Sequence, residues 1–327
     1  MNARSFHISV QGASHIKRGK ECQDVSASCD AEGYSIAIVC DGHGSDDYVR
    51  SAVGAGIACI ATENSIRDFM GKVDKEIFQK SAKQREELLG RLEGSIINTW
   101  NKAVREHYST NPFTDSEIAV LSDRAKCKYL QDQQIESAYG TTLLAIALTP
   151  DFWFGIHIGD GKCVAVDSDG NFSQPIPWDE KCFLNATTSI CDKDAIGNFR
   201  HFYSDDPPVA VFVGSDGIDD CFCNDEQLHN LYRTALYSFS TSEFDTAVAE
   251  LQDYLPRLSA KGSGDDMSVA AILDLDKIGG LQIIQNHACS AEPVSDVRAV
   301  AFIETSSSNE LVELKSDEQK ETSADGQ

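Results

Sequence analysis

Short, uninterrupted apolar runs recur along the chain, and each is bounded by glycine, proline or polar residues. These runs lie at residues 34–40, 141–148, 152–158, 162–167, 209–214 and 267–274. Apolar runs of this length between turn residues are typical of buried β-strands. The turns between consecutive runs are short, which favours antiparallel hairpins over crossover helices.

A second pattern repeats about every four residues and predicts a long amphipathic helix over residues 81–108. The apolar positions of that helix are Leu88, Leu92, Ile96, Trp100 and Val104. Further helices are predicted over residues 49–61, 115–133, 225–238 and 242–258. Helices grouped between antiparallel strands indicate the α+β class, in which two sheets can bury the apolar faces of the helices.

Two regions of the chain follow neither pattern. Residues 168–207 are mixed and polar with several prolines, which predicts a loop-rich insertion. After a main domain over residues 1–276, a C-terminal extension over residues 277–305 carries weak strand patterns. Residues 306–327 are rich in serine, glutamate and lysine, and we expect them to be a disordered acidic tail.

The chain is strongly acidic, with 52 aspartates and glutamates against 28 lysines and arginines and a formal net charge of -24. Such a charge repels nucleic acids and anionic membrane surfaces, so neither is an expected partner. No apolar stretch of about 18 residues is present. The first ten residues lack the apolar core of a signal peptide, so we expect a cytoplasmic protein.

Aspartates recur at the predicted strand ends. Asp41, Asp160, Asp216 and Asp265 each lie beside a glycine at a strand boundary, and Asp24 precedes a short segment that can begin a strand. A single aspartate beside glycine usually makes a turn. Several strand ends at one sheet edge can converge, however, and converging carboxylates repel one another unless cations neutralise them.

Carboxylate oxygens suit Mg²⁺ or Mn²⁺ better than zinc. Two such ions about 3.5–4 Å apart can lower the pKa of a bridging water and orient it for in-line attack on phosphorus. Glycine beside a ligand also lets a backbone carbonyl approach the metal. The aspartate pattern is therefore compatible with metal-assisted hydrolysis of a phosphate ester.

Six segments, in this order, make the chain resemble the metal-dependent protein phosphatases of type 2C over roughly residues 8–275. They are Glu21-Cys22-Gln23-Asp24, Asp41-Gly42-His43-Gly44, Tyr139-Gly140-Thr141-Thr142, Ile158-Gly159-Asp160-Gly161, Ser215-Asp216-Gly217-Ile218-Asp219-Asp220 and Gly262-Ser263-Gly264-Asp265-Asp266-Met267-Ser268. Each segment alone is weak evidence, whereas six in the family's order are specific. The segment Gly12-Ala13-Ser14-His15, followed by Gln23-Asp24, resembles a divergent bacterial branch of this family.

The resemblance implies a four-layer α-β-β-α sandwich of two mainly antiparallel sheets flanked by helix pairs, with metals at one end of the sheets. It implies hydrolysis of phosphoserine and phosphothreonine in proteins by a metal-bridging hydroxide. The cofactors would be two divalent cations, Mg²⁺ or Mn²⁺, with a third at a weaker site. The partner would be a phosphorylated protein substrate, and a cognate serine/threonine kinase is a candidate partner.

The resemblance also implies individual roles for the aspartates. Asp41 would bridge two metals, with the Gly42 carbonyl on one of them and Asp216 and Asp265 on the other. Asp24 would act near the metals, through water.

Two further roles follow from the same resemblance. Asp160, with Asp216 and Asp220, would form the third-metal site. His43 would act as the general acid that protonates the leaving serine or threonine oxygen.

The chain departs from the family's pattern around the phosphate. Many members carry an arginine five residues before the aspartate that Asp24 matches, and this chain has Gly19 there. His15, Lys17 and Arg18 lie nearby, and His15 and Arg18 are our candidate phosphate-binding residues. The alternative is that these side chains belong only to the surface. Gln23 stands where many members have glutamate, and Asp266 stands where asparagine is common.

Two other functions remain open from the sequence: a catalytically weak binding or regulatory module with the phosphatase fold, and a small-molecule phosphoesterase. Residues 168–207 fall where the family carries a flap beside the active site, and we expect them to influence substrate choice. A net charge of -24 repels acidic phosphoproteins at long range. Either the metals create a local positive entrance or the natural substrate has a basic surface.

Overall fold

The computed structural model describes residues 2–183, 186–281 and 284. The predicted tail lies outside the described residues, as does the predicted extension except for residues 277–281 and 284. The division into a main domain, an extension and a tail therefore stays a prediction. Within the described part of the chain, no helix is both long enough and apolar enough to cross a membrane.

Two five-stranded sheets form the centre of the molecule, and every strand pairing in them is antiparallel. The strands are β1 (Ala3–Val10), β2 (Asp24–Ala31), β3 (Tyr34–Asp41), β4 (Leu143–Leu148), β5 (Trp153–Ile158), β6 (Lys162–Val166), β7 (Phe172–Ser173), β8 (Arg200–Ser204), β9 (Ala210–Gly214) and β10 (Met267–Asp274). The first sheet has the order β2-β3-β4-β5-β8, and the second has the order β1-β10-β9-β6-β7. The predicted α+β class with two antiparallel sheets is confirmed.

Helices cover the outer face of each sheet. The α-helices among the described residues are α1 (Ala13–Arg18), α2 (Ser51–Lys72), α3 (Lys75–Lys80), α4 (Ala82–Thr110), α5 (Asp115–Val120), α6 (Asp123–Lys126), α7 (Ala195–Asn198), α8 (Asp216–Asp219), α9 (Asp225–Thr241), α10 (Phe244–Lys261) and α11 (Leu275–Ile278). One apolar cluster joins α2 and α4 to the first sheet, and another joins α9 and α10 to the second. A third cluster lies between the sheets and completes the four layers.

Strand β3 shows why its sequence is apolar without interruption. Ile36, Ile38 and Cys40 point towards the helices, whereas Ala37 and Val39 point towards the other sheet. Because side chains alternate between the faces of a strand, a strand covered on both faces needs apolar residues at nearly every position.

The prediction of one helix over residues 115–133 is wrong. The structure has α5 and then α6, which continues into a π-helix over Cys127–Gln131, and Leu121 between α5 and α6 is extended with ψ of 141°. Thr114 and Ser122 each accept a hydrogen bond from a backbone N–H in the turn that follows. Two capping residues start two helices, and the apolar spacing alone does not reveal the break.

The sequence pattern did not predict strands β1 and β8. In β1, Phe6 and Ile8 are buried between polar neighbours, and the strand pairs along its full length with β10. Strand β8 lies within residues 168–207, the segment predicted to be rich in loops, and it pairs with β5. Edge strands tolerate polar residues, so both segments lack the long apolar runs of the central strands.

Helix α4 is held against the edge of the first sheet by His201 of β8. Its Nδ1 lies 2.9 Å from Glu93 Oε1 and its Nε2 lies 2.7 Å from Glu86 Oε2. Glu93 is buried, and its hydrogen bond to His201 is the main cause that raises the pKa of His201 to about 9. The imidazolium therefore persists at neutral pH and compensates the buried carboxylate.

We predict that His201→Gln destabilises the protein in a pH-dependent way. The pKa of His201 is higher in the folded chain than the ordinary value of 6.5. Its stabilising contribution is therefore complete below pH 6.5 and is lost as the pH rises through about 9. In urea unfolding, the variant should lose about 1–3 kcal/mol at pH 6 and clearly less at pH 9.5.

The matched control is His7→Gln, at a histidine that hydrogen-bonds the Ser28 hydroxyl rather than a carboxylate. Burial lowers the pKa of His7, so its loss should not shrink with rising pH. An equal loss at both pH values in His201→Gln would contradict the ion-pair account.

Candidate metal centre

Asp24 and Asp41 lie at the same edge of the first sheet. Asp24 is the first residue of β2 and Asp41 is the last residue of β3, and the two are directly opposite in the antiparallel register. The Asp41 carbonyl accepts the Thr142 N–H at 2.8 Å, which ties it to the chain entering β4. Strand pairing therefore sets the separation of the two carboxylates.

Asp216 and Asp265 come from neighbouring strands of the second sheet. Asp216 follows β9 and Asp265 precedes β10, and these strands pair in an antiparallel register. The Ser215 N–H donates to the Ser268 carbonyl at 3.0 Å, which continues the pairing up to the aspartates. Both sheets thus present aspartates at one end of the sandwich.

The aspartates of the two sheets meet. The carboxyl groups of Asp41 and Asp216 are within hydrogen-bonding reach of each other. Burial, followed by the charges of Asp24 and Asp216, raises the pKa of Asp41 well above its ordinary value. Asp160, in the turn between β5 and β6, also contributes to this repulsion. The structure therefore brings together side chains that the sequence places far apart.

The environment of Asp24 fits a cation-binding role. Its side chain is buried, and its Oδ2 has no hydrogen-bond partner among the described residues. Burial raises the pKa of Asp24 to about 8, a hydrogen bond with Ser215 opposes the rise, and the charges of Asp266 and Asp216 add to it. A buried carboxylate oxygen without a partner is costly, and a hard divalent cation satisfies it.

Two glycines allow the close backbone approach at this end of the sandwich. A Cβ at Gly42 would lie 2.5 Å from the Gln23 carbonyl oxygen, and a Cβ at Gly217 would lie 2.0 Å from the Asp266 carbonyl oxygen. No side chain fits at either position without moving backbone. The family-based assignment of the Gly42 carbonyl as a metal ligand stays a prediction.

Asp265 is half-exposed, and His15 of α1 lies beside it. His15 Nε2 lies 3.5 Å from Asp265 Oδ1, and Nδ1 lies 2.9 Å from Asp266 Oδ2 without hydrogen-bond geometry. Ligand atoms of these three side chains lie within 4.8 Å of one another, so they form a group that can hold a metal ion. The predicted phosphate-binding residue His15 therefore lies against the carboxylates.

The sequence did not reveal the structural role of Asp266. Its buried carboxylate accepts the Gly12 N–H on Oδ1 and the Gln23 N–H on Oδ2, both at 2.6 Å. These bonds hold the segment before α1 and the segment before β2 against the start of β10. An asparagine oxygen could accept only part of this pattern, which gives a physical reason for a carboxylate here.

Gln23 and Arg18 are two further residues that the sequence singled out, Gln23 in place of a glutamate and Arg18 as a candidate phosphate-binding residue. The Gln23 side-chain Nε2 donates to Ser51 Oγ at 2.6 Å and to the His43 carbonyl at 3.2 Å, so it supports the loop after β3. Arg18 is exposed at the end of α1 and makes no hydrogen bond or ion pair with any described residue. The structure thus groups His15, but not Arg18, with the aspartates.

His43 lies in the loop directly after Asp41. Its N–H donates to the Gly140 carbonyl at 3.1 Å, and its ring packs edge-on against Tyr48 at 4.6 Å between centroids. Burial lowers the pKa of His43 to about 4. The imidazole is therefore neutral at pH 7, and an arriving phosphate dianion would raise this pKa.

The proposed third-metal residues lie beside an acidic group that the sequence did not single out. Burial raises the pKa of Asp160, and a hydrogen bond with Thr187 opposes the rise. Burial also raises the pKa of Asp219 to about 7, although Lys162 Nζ lies 3.3 Å from its carboxylate. Asp219 could have been predicted from the sequence, because it lies between Asp216 and Asp220 in a short acidic segment.

A model of the protein phosphatase 2C family matches residues 11–256 of the chain. No curated protein sequence matches the chain significantly.

Among solved structures, PppA, described as a key regulatory component of T6SS in Pseudomonas aeruginosa, has a TM-score of 0.52 and 14% identity, covering 84% of this chain and 98% of PppA. A bacterial serine phosphatase has a TM-score of 0.50 and 14% identity, covering 83% of this chain and 97% of its own. The catalytic domain of the serine/threonine phosphatase PstP, in complex with 2 manganese ions, has a TM-score of 0.48 and 16% identity, covering 83% and 97%.

At such identities the structural likeness concerns the fold alone. The family match, however, covers well over half of the chain and includes Asp24, Asp41 and Asp216. The chain belongs to the protein phosphatase 2C family.

Proposed function

We propose that this chain is a metal-dependent phosphatase that hydrolyses phosphoserine and phosphothreonine in proteins. The observation that carries the proposal is the convergence of Asp24, Asp41 and Asp216 from two sheets. The charged groups that most perturb these three carboxylates are other carboxylates, not lysine or arginine. Uncompensated charge of this kind is expected where cations bind.

In this proposal, Mg²⁺ or Mn²⁺ is held by Asp41, Asp216, Asp265 and the Gly42 carbonyl, with Asp24 acting through water. Two cations occupy the main site, and a third is held more weakly by Asp160, Asp216 and Asp220. Bound divalent cations supply an activated water and stabilise negative charge on the phosphoryl group. The carboxylates hold these cations in a fixed geometry because strand pairing fixes their backbones.

The remaining proposed roles belong to histidines. His43 protonates the leaving serine or threonine oxygen once the substrate dianion has raised its pKa. Tyr48 and the Gly140 carbonyl keep its ring and backbone in place. His15, held between Asp265 and Asp266, contacts the phosphate, whereas Arg18 is the second and more distant candidate.

We predict that the purified protein hydrolyses a phosphopeptide and a chromogenic phosphate ester with Mn²⁺, and that EDTA stops both reactions. Asp41→Asn and Asp216→Asn should each lower kcat/KM by about 100-fold or more, because each removes a proposed metal ligand. Asp253→Asn, at an exposed position of α10, is the matched control and should keep full activity. Full activity in Asp41→Asn would refute the metal scheme.

We predict that Asp24→Asn has opposite effects without and with metal. In EDTA at neutral pH the variant should melt about 2–4 °C higher than the wild type, because folding of the wild type must protonate a buried carboxyl group that is ionised in the unfolded chain, whereas the amide carries no such cost. On addition of Mn²⁺, the wild type should gain more thermal stability than the variant. Differential scanning calorimetry measures both changes; a variant that melts lower in EDTA and gains as much from Mn²⁺ would exclude this role for Asp24.

We predict that His15→Gln weakens phosphate binding more than Arg18→Gln does. His15 is buried against the carboxylate group, whereas Arg18 is exposed on α1. The inhibition constant of inorganic phosphate should rise by about 10-fold in His15→Gln. A rise of this size is expected when one charge-assisted hydrogen bond to the phosphate is lost. A larger effect of Arg18→Gln would assign the phosphate contact to Arg18 instead.

A further inference from the structure

The structure has a cleft of about 890 Å³ that is separate from the carboxylate centre. Its walls are formed by the second half of α4, by α6 and the turn after it, and by residues 132–137 and 191–193. Four cationic side chains line it, and we call it the basic cleft: Arg105, Arg124, Lys128 and Lys193. None of the predicted metal, catalytic or phosphate-binding residues lines it.

Three of these four cations have no side-chain partner among the residues that the structure describes. Arg105 forms an ion pair with Glu136. Arg124, Lys128 and Lys193, in contrast, make no hydrogen bond or ion pair through their side chains with any described residue.

Besides Glu136, the carboxylates of Asp192 and Asp132 line the cleft, and Asp192 already accepts hydrogen bonds within the protein. Asp192 accepts the Ser189 N–H at 2.9 Å and the Asn198 side-chain amide at 3.2 Å, so it is occupied within its own loop. Three unpaired cations therefore face two carboxylates, which leaves a local positive excess in a chain whose net charge is -24.

The cleft adjoins the His43 side of the proposed active site. Ile190, next to the cleft wall, donates its N–H to the Thr141 carbonyl at 3.1 Å, and Thr141 pairs with Gly42. Tyr48 packs against His43 on one side. The carbonyl of Asp47, the residue before Tyr48, accepts the hydroxyl of Tyr129 at 2.7 Å, and Tyr129 directly follows the cleft residue Lys128.

The wall that carries Arg124 and Lys128 is anchored firmly. The buried Arg50 makes two hydrogen bonds with the Glu117 carboxylate, at 2.6 and 2.9 Å. Asp47 accepts the Ser122 N–H and hydroxyl, both at 2.8 Å, and its carbonyl accepts the Tyr129 hydroxyl at 2.7 Å. The cleft is therefore preformed, so a ligand does not have to order it.

We propose that the basic cleft binds acidic residues that flank the phosphorylated serine or threonine of a protein substrate. This inference rests on the proposed phosphatase function and specifies its substrate class. Elsewhere the net charge repels an acidic segment, whereas unpaired cations beside the active site attract it at short range. The class of substrate is therefore a phosphoprotein with aspartates or glutamates near its phosphoresidue, rather than one with a basic surface.

The test compares two phosphopeptides of equal length, one with aspartates and glutamates around the phosphoserine and one with asparagines and glutamines there. The wild type with Mn²⁺ should have the higher kcat/KM for the acidic peptide. In the double variant Arg124→Gln/Lys128→Gln, the acidic-to-neutral ratio of kcat/KM should fall by about 5-fold, as expected for the loss of two exposed ion pairs.

The matched control is Lys75→Gln/Lys83→Gln, which removes the same charge from exposed positions. Lys83 lies about 27 Å along α4 from Asn101, at the far end of the helix from the cleft. This control should keep the wild-type ratio. An equal fall of the ratio in the control, or an unchanged ratio in Arg124→Gln/Lys128→Gln, would overturn the proposal.

A binding assay separates failure of this proposal from failure of the proposed function. Fluorescence anisotropy of the labelled acidic peptide, without phosphate and in EDTA, requires no turnover. The wild type should bind it more tightly than Arg124→Gln/Lys128→Gln does, even if the protein proved unable to hydrolyse phosphate esters. Equal binding by the two proteins would overturn the proposed role of the basic cleft and would leave the proposed phosphatase function untouched.

Discussion

Repulsion between buried carboxylates is the constraint on which the rest of this structure depends. Asp24, Asp41 and Asp216 are held together by strand pairing in two sheets, and burial raises the pKa of each. Without cations the cluster lowers the stability of the folded chain, so the surrounding sandwich must over-determine its geometry. Two features fix the backbone around the cluster. The chain packs closely against Gly42, and the Asp266 carboxylate binds the backbone N–H groups of Gly12 and Gln23.

The layers of the fold each serve this geometry. Apolar residues on both faces of β3 bury the sheet between helices and the second sheet, so the strand end that carries Asp41 cannot shift. The insertion between α4 and β4 is fixed to the loop after His43 through Arg50 and Asp47. The same arrangement that fixes the carboxylates thus also shapes the basic cleft beside them, linking the proposed chemistry to the proposed choice of substrate.

Sequence patterns predicted the parts of the fold in which burial is complete. The strand at 267–274 and the helix at 81–108 were predicted nearly to the residue, because their apolar periodicity is unbroken. Edge strands β1 and β8 and the break at Leu121 were not predicted, since polar side chains and capping residues decide them. For the site, aspartates beside glycines were a usable pattern, whereas the anchoring role of Asp266 depends on contacts with Gly12, more than 250 residues away.

The most direct test of this account is anomalous diffraction at the manganese edge from crystals of the full chain grown with Mn²⁺. The account predicts strong anomalous peaks within coordination distance of the Asp41 and Asp216 carboxylates. Crystals with no manganese between these two side chains at saturating metal would contradict it.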